Sequence, residues 1–508
     1  KGAASLRYGP NTIGGVINFL TRTPEDGLAL SARVGSWNTY EGTVELGASN
    51  RSGDARFGLI ATRSESDGFM DKGYDMTDVM IKTGLAIGDF QSIGFKLAHY
   101  KNNANISYRG IFPDAFAAGA RFNPAPDDFF LTGRTSFDVN HAWQINDRAS
   151  LNTLVYASQT FRDYWRFATV GGAATTTSPE GYTVWNYGNN LNGNNRDFTR
   201  VGIETRLNLR HSAFGIGNEA EIGLRLMQED MKDVTVLAVR GRPRTPDAGR
   251  GGVSQDRLDS GDSLALFAQN RFDLSEQLSV TAGLRVESYE QTRKNRRSTD
   301  APESYSNTEV MPGLGATYAI NPSLQVFGSV YRAFAPPLVG SVLGASDTPT
   351  EAEKSVNIEF GLRGNHGPWD YSATAFQMDF SNQVDPGVSG IRAPNEGSAL
   401  HQGFEGALAV DLGGGFSLEG NYTWIAKAEY REDRPGEALK GNRLAYAPEH
   451  MANLALAYQS GALKTALLFN HVGEQFGDGL NTREYTIAST GTWGGLIPSY
   501  STTDLTAS

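Results

Sequence analysis

From residue 28 onward, hydrophobic and polar residues alternate along the chain with a period of two. The alternation is clearest in 201–210, 278–287 and 356–363, where mostly Val, Ile, Leu and Phe on one face oppose Gly, Ser, Asn, Arg and Glu on the other. Successive side chains of a β-strand point to opposite faces, so this periodicity predicts strands. The polar faces carry full charges and the segments reach ten residues, which is typical of strands that cross a bilayer at a tilt.

The alternation predicts nineteen strands, with a twentieth beginning near the end of the chain. The segments are 28–35, 40–49, 54–64, 77–87, 91–100, 132–144, 148–161, 196–211, 216–231, 257–272, 277–290, 305–319, 324–334, 352–363, 369–380, 400–411, 415–427, 446–458, 462–474 and 499–508.

The connections between these segments alternate between short and long. Tight turns are predicted at 50–53, 88–90, 145–147, 212–215, 273–276, 320–323, 364–368, 412–414 and 459–461, and long excursions at 65–76, 101–131, 162–195, 232–256, 335–351, 381–399, 428–445 and 475–498. Two connections break the rule, because 36–39 is short and 291–304 is only of middling length. Short turns at one end and long loops at the other predict an all-β transmembrane barrel rather than a propeller or a sandwich.

The composition narrows the function classes. The 508 residues include 59 Gly and no Cys, and 45 basic against 56 acidic residues give a net charge of −11. Without Cys there is no disulfide or thiolate metal site, and the acidic balance argues against a nucleic-acid partner. No apolar run approaches the roughly 18–20 residues of a membrane helix. The mean hydropathy of −0.38 is that of a soluble protein, as expected when polar and apolar faces alternate.

The first 24 residues differ from the rest. Segment 5–24 contains Gly9-Pro10 and Gly14-Gly15, which predict a turn followed by one buried strand. No Gly-Lys-Ser/Thr follows, so it is not a phosphate loop. The chain begins at Lys1 and stops inside an alternating segment, and we therefore expect an internal piece of a longer protein.

Several motifs together resemble the TonB-dependent outer-membrane receptors. The run with Arg7, Tyr8, Gly9, Pro10, Gly14, Gly15 and Asn18 is similar to the closing signature of their plug domain, just ahead of the first barrel strand. Further matches along the chain are Gly283-Leu284-Arg285, Tyr331-Arg332-Ala333-Phe334-Ala335-Pro336-Pro337, and Asn395-Glu396-Gly397 before His401-Gln402-Gly403-Phe404-Glu405.

The resemblance implies a 22-stranded antiparallel barrel around an N-terminal plug, in the bacterial outer membrane. On that template, 1–24 is the end of the plug, and 25–508 is the barrel with about 19–20 strands present and the last ones missing. The implied partners are the TonB–ExbB–ExbD complex, acting through an N-terminal box outside this chain, together with outer-membrane lipid and lipopolysaccharide. The implied activity is energised uptake without catalysis or a resident cofactor, since any iron arrives inside its chelate.

Within the family, three motifs are similar to ferric-citrate and related iron-chelate receptors. They are Asn123-Pro124…Asp127-Asp128-Phe129…Arg134, Phe161-Arg162-Asp163-Tyr164-Trp165-Arg166 and Arg200-Val201-Gly202-Ile203-Glu204. Ferric citrate or another siderophore is therefore the favoured cargo. Cobalamin, a sugar or another non-iron cargo remains an alternative, and a passive porin is a less favoured one.

An anionic chelate calls for arginines, which bind carboxylates through two hydrogen bonds, and for aromatic rings that exclude water. The first candidates are Arg162, Tyr164, Trp165 and Arg166, at the start of excursion 162–195, followed by Arg109 and Arg121 in 101–131. Arg240, Arg242, Arg244 and Arg250 in 232–256 come next. Solvated loop arginines and contacts to lipopolysaccharide are the competing interpretation for each.

Three further expectations concern charge, catalysis and metal binding. We expect Arg7 and Arg22 to pair with lumen carboxylates such as Glu204, Glu287 or Glu359. Gly261-Asp262-Ser263-Leu264 has the letters of a GDSL-hydrolase motif, but it opens a strand where that family has a strand-to-helix turn. The seven His show no metal-ligand spacing, so no metal site is expected.

Overall fold

A computed structural model describes residues 4–213, 215–241, 244–337, 352–383, 397–434, 437–484, 486–487 and 493–508. Within these ranges, helices α1 and α2 span Ala4–Tyr8 and Pro113–Ala117, and 3₁₀ turns span Phe69–Asp71 and Ala248–Arg250. No helix in these ranges is long and apolar enough to cross a membrane.

The remaining regular structure of the described residues is β. The strands are β1 Gly27–Gly35, β2 Thr39–Ser49, β3 Ala55–Ser66, β4 Tyr74–Ile87, β5 Gln91–Ala104, β6 Phe129–Asn146, β7 Ala149–Thr169, β8 Thr175–Thr177, β9 Thr183–Trp185, β10 Tyr187–Ala213, β11 Ile216–Val239, β12 Val253–Asp273, β13 Leu278–Asn295, β14 Glu303–Asn321, β15 Leu324–Ala335, β16 Glu353–His366, β17 Trp369–Asn382, β18 Ala399–Gly413, β19 Phe416–Tyr430, β20 His450–Ser460, β21 Leu463–Val472, β22 Gln475–Phe476, β23 Thr486–Ile487, β24 Trp493–Gly494, β25 Leu496–Ile497 and β26 Tyr500–Ala507.

Twenty of the described strands form one antiparallel sheet in which each strand pairs with the next of these twenty along the chain. β7 pairs directly with β10, and β21 with β26, because the strands between them form separate two-stranded pairs in the loops. These twenty strands match the twenty predicted segments, and all nine predicted tight turns fall at one end of the sheet. The parity of the connections is therefore confirmed.

The sheet curves around the N-terminal segment. Helix α1 contacts β12, β13, β14 and β15, whereas the carbonyl oxygen of Thr21 accepts a hydrogen bond from Lys82 Nζ of β4 at 2.7 Å. Ile13 belongs to a buried cluster with residues of β15, β17, β18 and β19. A segment this short reaches such distant strands only because the sheet wraps around it, so the face toward α1 is the lumen.

The two faces of the strands are inverted relative to a soluble protein. In β13, Leu284 is 46% exposed on the outer face, while Arg285 and Glu287 on the lumen face are 0% and 2% exposed. An outer surface of exposed leucines is costly in water and favourable in lipid. The inversion is what a membrane-spanning barrel requires.

Two predictions about local structure are wrong. The predicted buried strand in 5–24 is absent: helix α1 is followed by irregular backbone in which Ile17, Phe19 and Leu20 are more than 80% exposed. A strand needs a neighbour to satisfy its backbone groups, and no described segment pairs with this one. The loops predicted at 162–195 and 232–256 are also shorter than expected, because β7 and β10 extend into the first and β11 extends into the second.

This extension escapes the periodicity for a physical reason. Beyond the bilayer both faces of a strand meet water, so alternation no longer marks it. Residues 188–195 are rich in Gly and Asn, which usually indicates a loop. Here β7 and β11 pair with them on both sides and hold them extended. Residues 338–351 and 384–396, which make up most of two predicted excursions, lie outside the described residues.

Candidate functional site

Three lumen arginines hold the end of helix α1. Arg285, Arg206 and Arg225 donate to the carbonyl oxygens of Leu6, Arg7 and Tyr8, at 3.5, 3.3 and 3.4 Å respectively. These carbonyls have no partner within so short a helix, and a positive charge is favourable at a helix C-terminus. The plug-like signature is therefore fixed through its backbone.

Carboxylates of the same face hold these arginines in place. Glu287 accepts from Arg225 at 2.7 Å and from Arg285 at 2.9 Å, and Glu204 accepts from Arg206 at 2.6 Å. Breaking one partner of a buried pair leaves an uncompensated charge and typically costs about 3–5 kcal/mol. The network thus forms a rigid seat for the first residues of the chain.

Arg7 and Arg22 pair with lumen carboxylates as expected, although not with the three suggested by the sequence. Arg7 lies 3.2 Å from Glu221, and Arg22 donates to Glu45. The sequence does not show which acidic side chain, among strands far apart along the chain, will lie near Arg7 or Arg22. The folded barrel decides which of them becomes the partner.

The remaining signature residues divide into two groups. Gly9 has a φ of +82°, and a Cβ placed on it would lie 2.7 Å from Arg285 Nη2, so glycine is required there by both backbone and space. Pro10 is half-buried beside it. Gly14, Gly15 and Asn18 are exposed, and a Cβ on either glycine would meet no atom within 4 Å.

The principal cargo candidates lie within strand β7 and not at the start of a loop, which corrects the prediction. Strand alternation places Arg162, Tyr164 and Arg166 on one face and Trp165 on the other. Trp165 is 3% exposed and packs in a cluster with Leu191 and neighbouring residues of β11. The cluster of four suggested by the sequence is therefore three residues facing the lumen and one buried behind them.

Tyr108, which no sequence pattern singled out, completes the lumen group. It lies in loop 105–128, is 61% exposed, and its backbone N–H donates to the Tyr164 hydroxyl at 3.1 Å. The Arg166 guanidinium carbon lies 5.5 Å from the Tyr108 ring centroid and 5.1 Å from that of Tyr164. Arg166 also donates to the Tyr108 hydroxyl at 3.4 Å. The sequence feature that could have identified Tyr108 is its position next to Arg109, since an aromatic residue beside an arginine is the pattern that singled out the other candidates.

Arg109 stands next to this group in a different environment. Its guanidinium carbon lies between 5.1 and 5.7 Å from the ring centroids of Tyr108, Trp185 and Tyr187. It also donates from Nη1 to the carbonyl oxygen of Phe167 at 2.8 Å. Arg109 is thus engaged by the protein itself.

Arg162 lies on the same face of β7 as Arg166 but farther from the outer loops. Its register partner is Arg196 on β10, which lies 3.2 Å from Asp233 of β11. Two guanidinium groups next to one carboxylate leave a local excess of positive charge. Such an excess attracts anions in spite of the protein's net negative charge.

The other predicted arginines do not join this group. Arg121 is exposed and donates to the carbonyl of its neighbour Ala120. Arg240 contacts the Phe167 ring and Arg244 the Phe129 ring, at 4.7 and 3.9 Å. By alternation both rings belong to the face opposite to Arg166. Arg250 donates to backbone carbonyls of β10 and β11, and Arg242, Asn395 and Glu396 lie outside the described residues.

Asp128 fixes the base of loop 105–128. It is fully buried and accepts from the Ser107 hydroxyl at 2.5 Å and the Phe167 N–H at 2.7 Å. Burial raises the pKa of this carboxyl, and these two hydrogen bonds oppose the rise. In the part of the chain that the structure describes, no group of three or more His, Asp or Glu side chains is placed to hold a metal ion.

Comparison with known proteins decides the family. The family model described as "TonB dependent receptor-like, beta-barrel" matches residues 26–508. The chain belongs to this family. TonB-dependent receptors are outer-membrane β-barrel proteins, receptors rather than enzymes, so the apolar outer face of this barrel lies in the outer membrane and the end with long loops faces outward.

Several curated TonB-dependent receptors are similar over most of this chain. The metal-pseudopaline receptor CntO of Pseudomonas aeruginosa is 25% identical, over all of this chain and 72% of its own length. The ferrienterobactin receptor of Escherichia coli K12 is 23% identical, over 91% of this chain and 66% of its own length.

Solved structures of TonB-dependent receptors share the fold. The ferric citrate transporter FecA in its unliganded form aligns with a TM-score of 0.84 at 20% identity, covering 99% of this chain and 74% of that one. The ferric-catecholate import receptor Fiu of Escherichia coli K12 aligns with a TM-score of 0.79 at 16% identity, covering 100% and 78%. The all-β barrel predicted from the sequence is confirmed.

Proposed function

We propose that this TonB-dependent receptor imports a ferric chelate, with ferric citrate or a similar siderophore as its cargo. Residues 1–24 are the end of its plug and 25–508 its barrel. The TonB–ExbB–ExbD complex supplies the energy through an N-terminal box. The iron is cargo inside its chelate, and the protein holds no cofactor of its own.

The lumen group of Tyr108, Arg162, Tyr164 and Arg166 carries this proposal. Arg166 is held by two rings and makes one long hydrogen bond, and within the described residues its Nε has no hydrogen-bond partner. A guanidinium held by rings is oriented before cargo arrives, which reduces the entropy lost on binding. The exposed ring of Tyr108 beside it supplies an apolar surface that would exclude water from the ion pairs between these arginines and the chelate.

The names of the relatives support a chelated metal as cargo. They mention metal-pseudopaline, ferrienterobactin and ferric citrate. These chelates differ from one another but all present a metal to a receptor of this family. Ferric citrate is favoured among them by the Arg162–Arg166 motif, and arginines suit its carboxylates.

Transport then needs no covalent step. The outer loops capture the chelate and close, and pulling on the N-terminal box remodels the plug. The seat under helix α1 is where the last part of the plug meets the barrel wall. Because Arg285 and Glu287 are almost wholly buried, we expect this contact to persist while the rest of the plug moves.

The test is a titration of the purified receptor by tryptophan fluorescence, with ferric citrate, other ferric siderophores, metal-pseudopaline and cobalamin. We expect sub-micromolar quenching by at least one ferric chelate, weakening as salt rises. Quenching by cobalamin alone, or by no chelate, would refute the proposal.

The site itself is tested with an R162M/R166M double variant. A hydrogen bond to a charged group contributes about 1.5–3 kcal/mol, so the dissociation constant should rise by about 100-fold or more. The matched control is Arg148→Met, an exposed arginine in the turn that begins β7 at the opposite end of the barrel. Unchanged affinity in the double variant would remove these residues from the site.

A further inference from the structure

Loops 105–128 and 170–186 interlock at the outer mouth, and we call the two together the clasp. The Asp114 carboxylate accepts from the Thr183 N–H at 2.6 Å, and the Trp185 indole N–H donates to the Gly110 carbonyl at 3.1 Å. Tyr187, directly after the second loop, donates to the Pro124 carbonyl at 2.8 Å.

Aromatic contacts reinforce these hydrogen bonds. The rings of Phe112 and Trp185 lie 4.9 Å apart, and those of Phe122 and Tyr182 stack at 5.9 Å. Phe112 is 4% exposed although it belongs to a surface loop. A loop pair with its own buried contacts opens less readily than a solvated loop. The two loops of the clasp are therefore expected to move together as one rigid unit.

Arg109 is the residue on which both loops and the barrel wall converge. Tyr108 belongs to the first loop and Trp185 to the end of the second, whereas Tyr187 begins β10 and the Phe167 carbonyl belongs to β7. The one guanidinium contacts all four. Each cation–π contact contributes about 0.5–1 kcal/mol when exposed and more when desolvated, and a half-buried arginine meets several at once.

The consequence reaches the cargo group through Tyr108. This tyrosine is adjacent to Arg109 in sequence, and its ring and hydroxyl orient Arg166. If the clasp shifts, Tyr108 shifts, and Arg166 loses one of the two rings that hold it.

We propose that Arg109 is a positioning residue that joins the two loops of the clasp and thereby fixes Tyr108 and Arg166, without itself contacting the cargo. Its effect on cargo binding rests on the function proposed above, whereas its effect on the loops does not. The clasp then forms a fixed wall of the mouth, and closure belongs to other loops.

The first experiment uses the receptor without cargo. The chain has no Cys, so cysteines at Ala117 and Thr176, both exposed and one in each loop, can be spin-labelled specifically. Pulsed electron resonance then measures the distribution of distances between the loops. We expect a narrow distribution that broadens in Arg109→Met and less so in Arg109→Lys, and stays narrow in Arg121→Met from the same loop. An unchanged distribution in Arg109→Met would overturn the proposal.

The second experiment separates positioning from direct contact. In Arg109→Met we expect the dissociation constant of the chelate to rise about tenfold. The slope of log Kd plotted against log salt concentration should stay as in wild type. A bifunctional maleimide of the measured length, joining the same two cysteines, should restore the affinity to within about twofold, because it replaces the lost link.

The opposite results have a clear meaning. A reduced salt slope together with no recovery on cross-linking would show that Arg109 binds the anion directly and overturn the positioning role. If the wild-type receptor binds no chelate, the proposed function fails, and the clasp is still decided by the distances measured without cargo.

Discussion

Replacing Gly9 with alanine tests whether close packing holds the N-terminal segment in its seat. At a φ of +82°, a residue with a Cβ pays about 1–2 kcal/mol for the left-handed region. The new methyl group would also lie 2.7 Å from Arg285 Nη2 and 3.0 Å from Glu287 Oε2. Arg285 is completely buried, so it cannot move aside cheaply, and overpacking of this kind typically costs about 1–3 kcal/mol.

The two contributions together predict a loss of about 2–5 kcal/mol in the free energy that keeps the segment docked. Hydrogen exchange of the Asn11 amide is a direct measure, because this N–H donates to the Phe334 carbonyl at 3.0 Å. At 1.4 kcal/mol per factor of ten, exchange of a peptide covering 4–13 should accelerate about 30-fold to several thousand-fold.

The same segment supplies two matched controls. Gly15 has a φ of +121° but open space around it, so Gly15→Ala carries the backbone cost without the clash. Gly14 has neither feature, and Gly14→Ala should stay within about 0.5 kcal/mol of wild type, as surface substitutions usually do. Equal acceleration in Gly9→Ala and Gly15→Ala would show that the contact with Arg285 contributes nothing, and the reasoning would fail.

Two further outcomes are expected. Trp165→Ala should destabilise the receptor by about 3–5 kcal/mol, because it leaves a cavity at a buried site. The chelate affinity should stay within about twofold of wild type, since the Trp165 ring faces away from Arg166. A large loss of affinity with normal stability would contradict this. Hydrogen bonds from the Thr183 and Ala115 N–H groups lower the pKa of Asp114, so their support of the clasp is present above the ordinary pKa of about 4 and lost as pH falls through the lowered value. Exchange at Thr183, corrected for its intrinsic pH dependence, should therefore accelerate at acid pH in wild type but not in Asp114→Asn.

The sequence by itself determined the barrel and its family. A period of two and the alternation of short and long connections are local properties, and the lipid imposes them on every membrane-crossing strand. The predicted segments 216–231 and 324–334 therefore coincide closely with the cores of β11 and β15. The plug-like signature was recognisable for a similar reason, since the positive φ of Gly9 is a local backbone conformation that favours glycine at that one position.

Only the tertiary structure decided the site. Above the bilayer the alternation fades, so the sequence placed Arg162 and Arg166 in a loop, whereas pairing with β10 keeps them in a strand. That pairing turned Trp165 to the opposite face. It was also the fold that brought Tyr108 from a separate loop against Arg166, and that gave Arg7 the partner Glu221. Each of these contacts joins residues distant along the chain, and local sequence patterns carry no information about which distant side chains will meet.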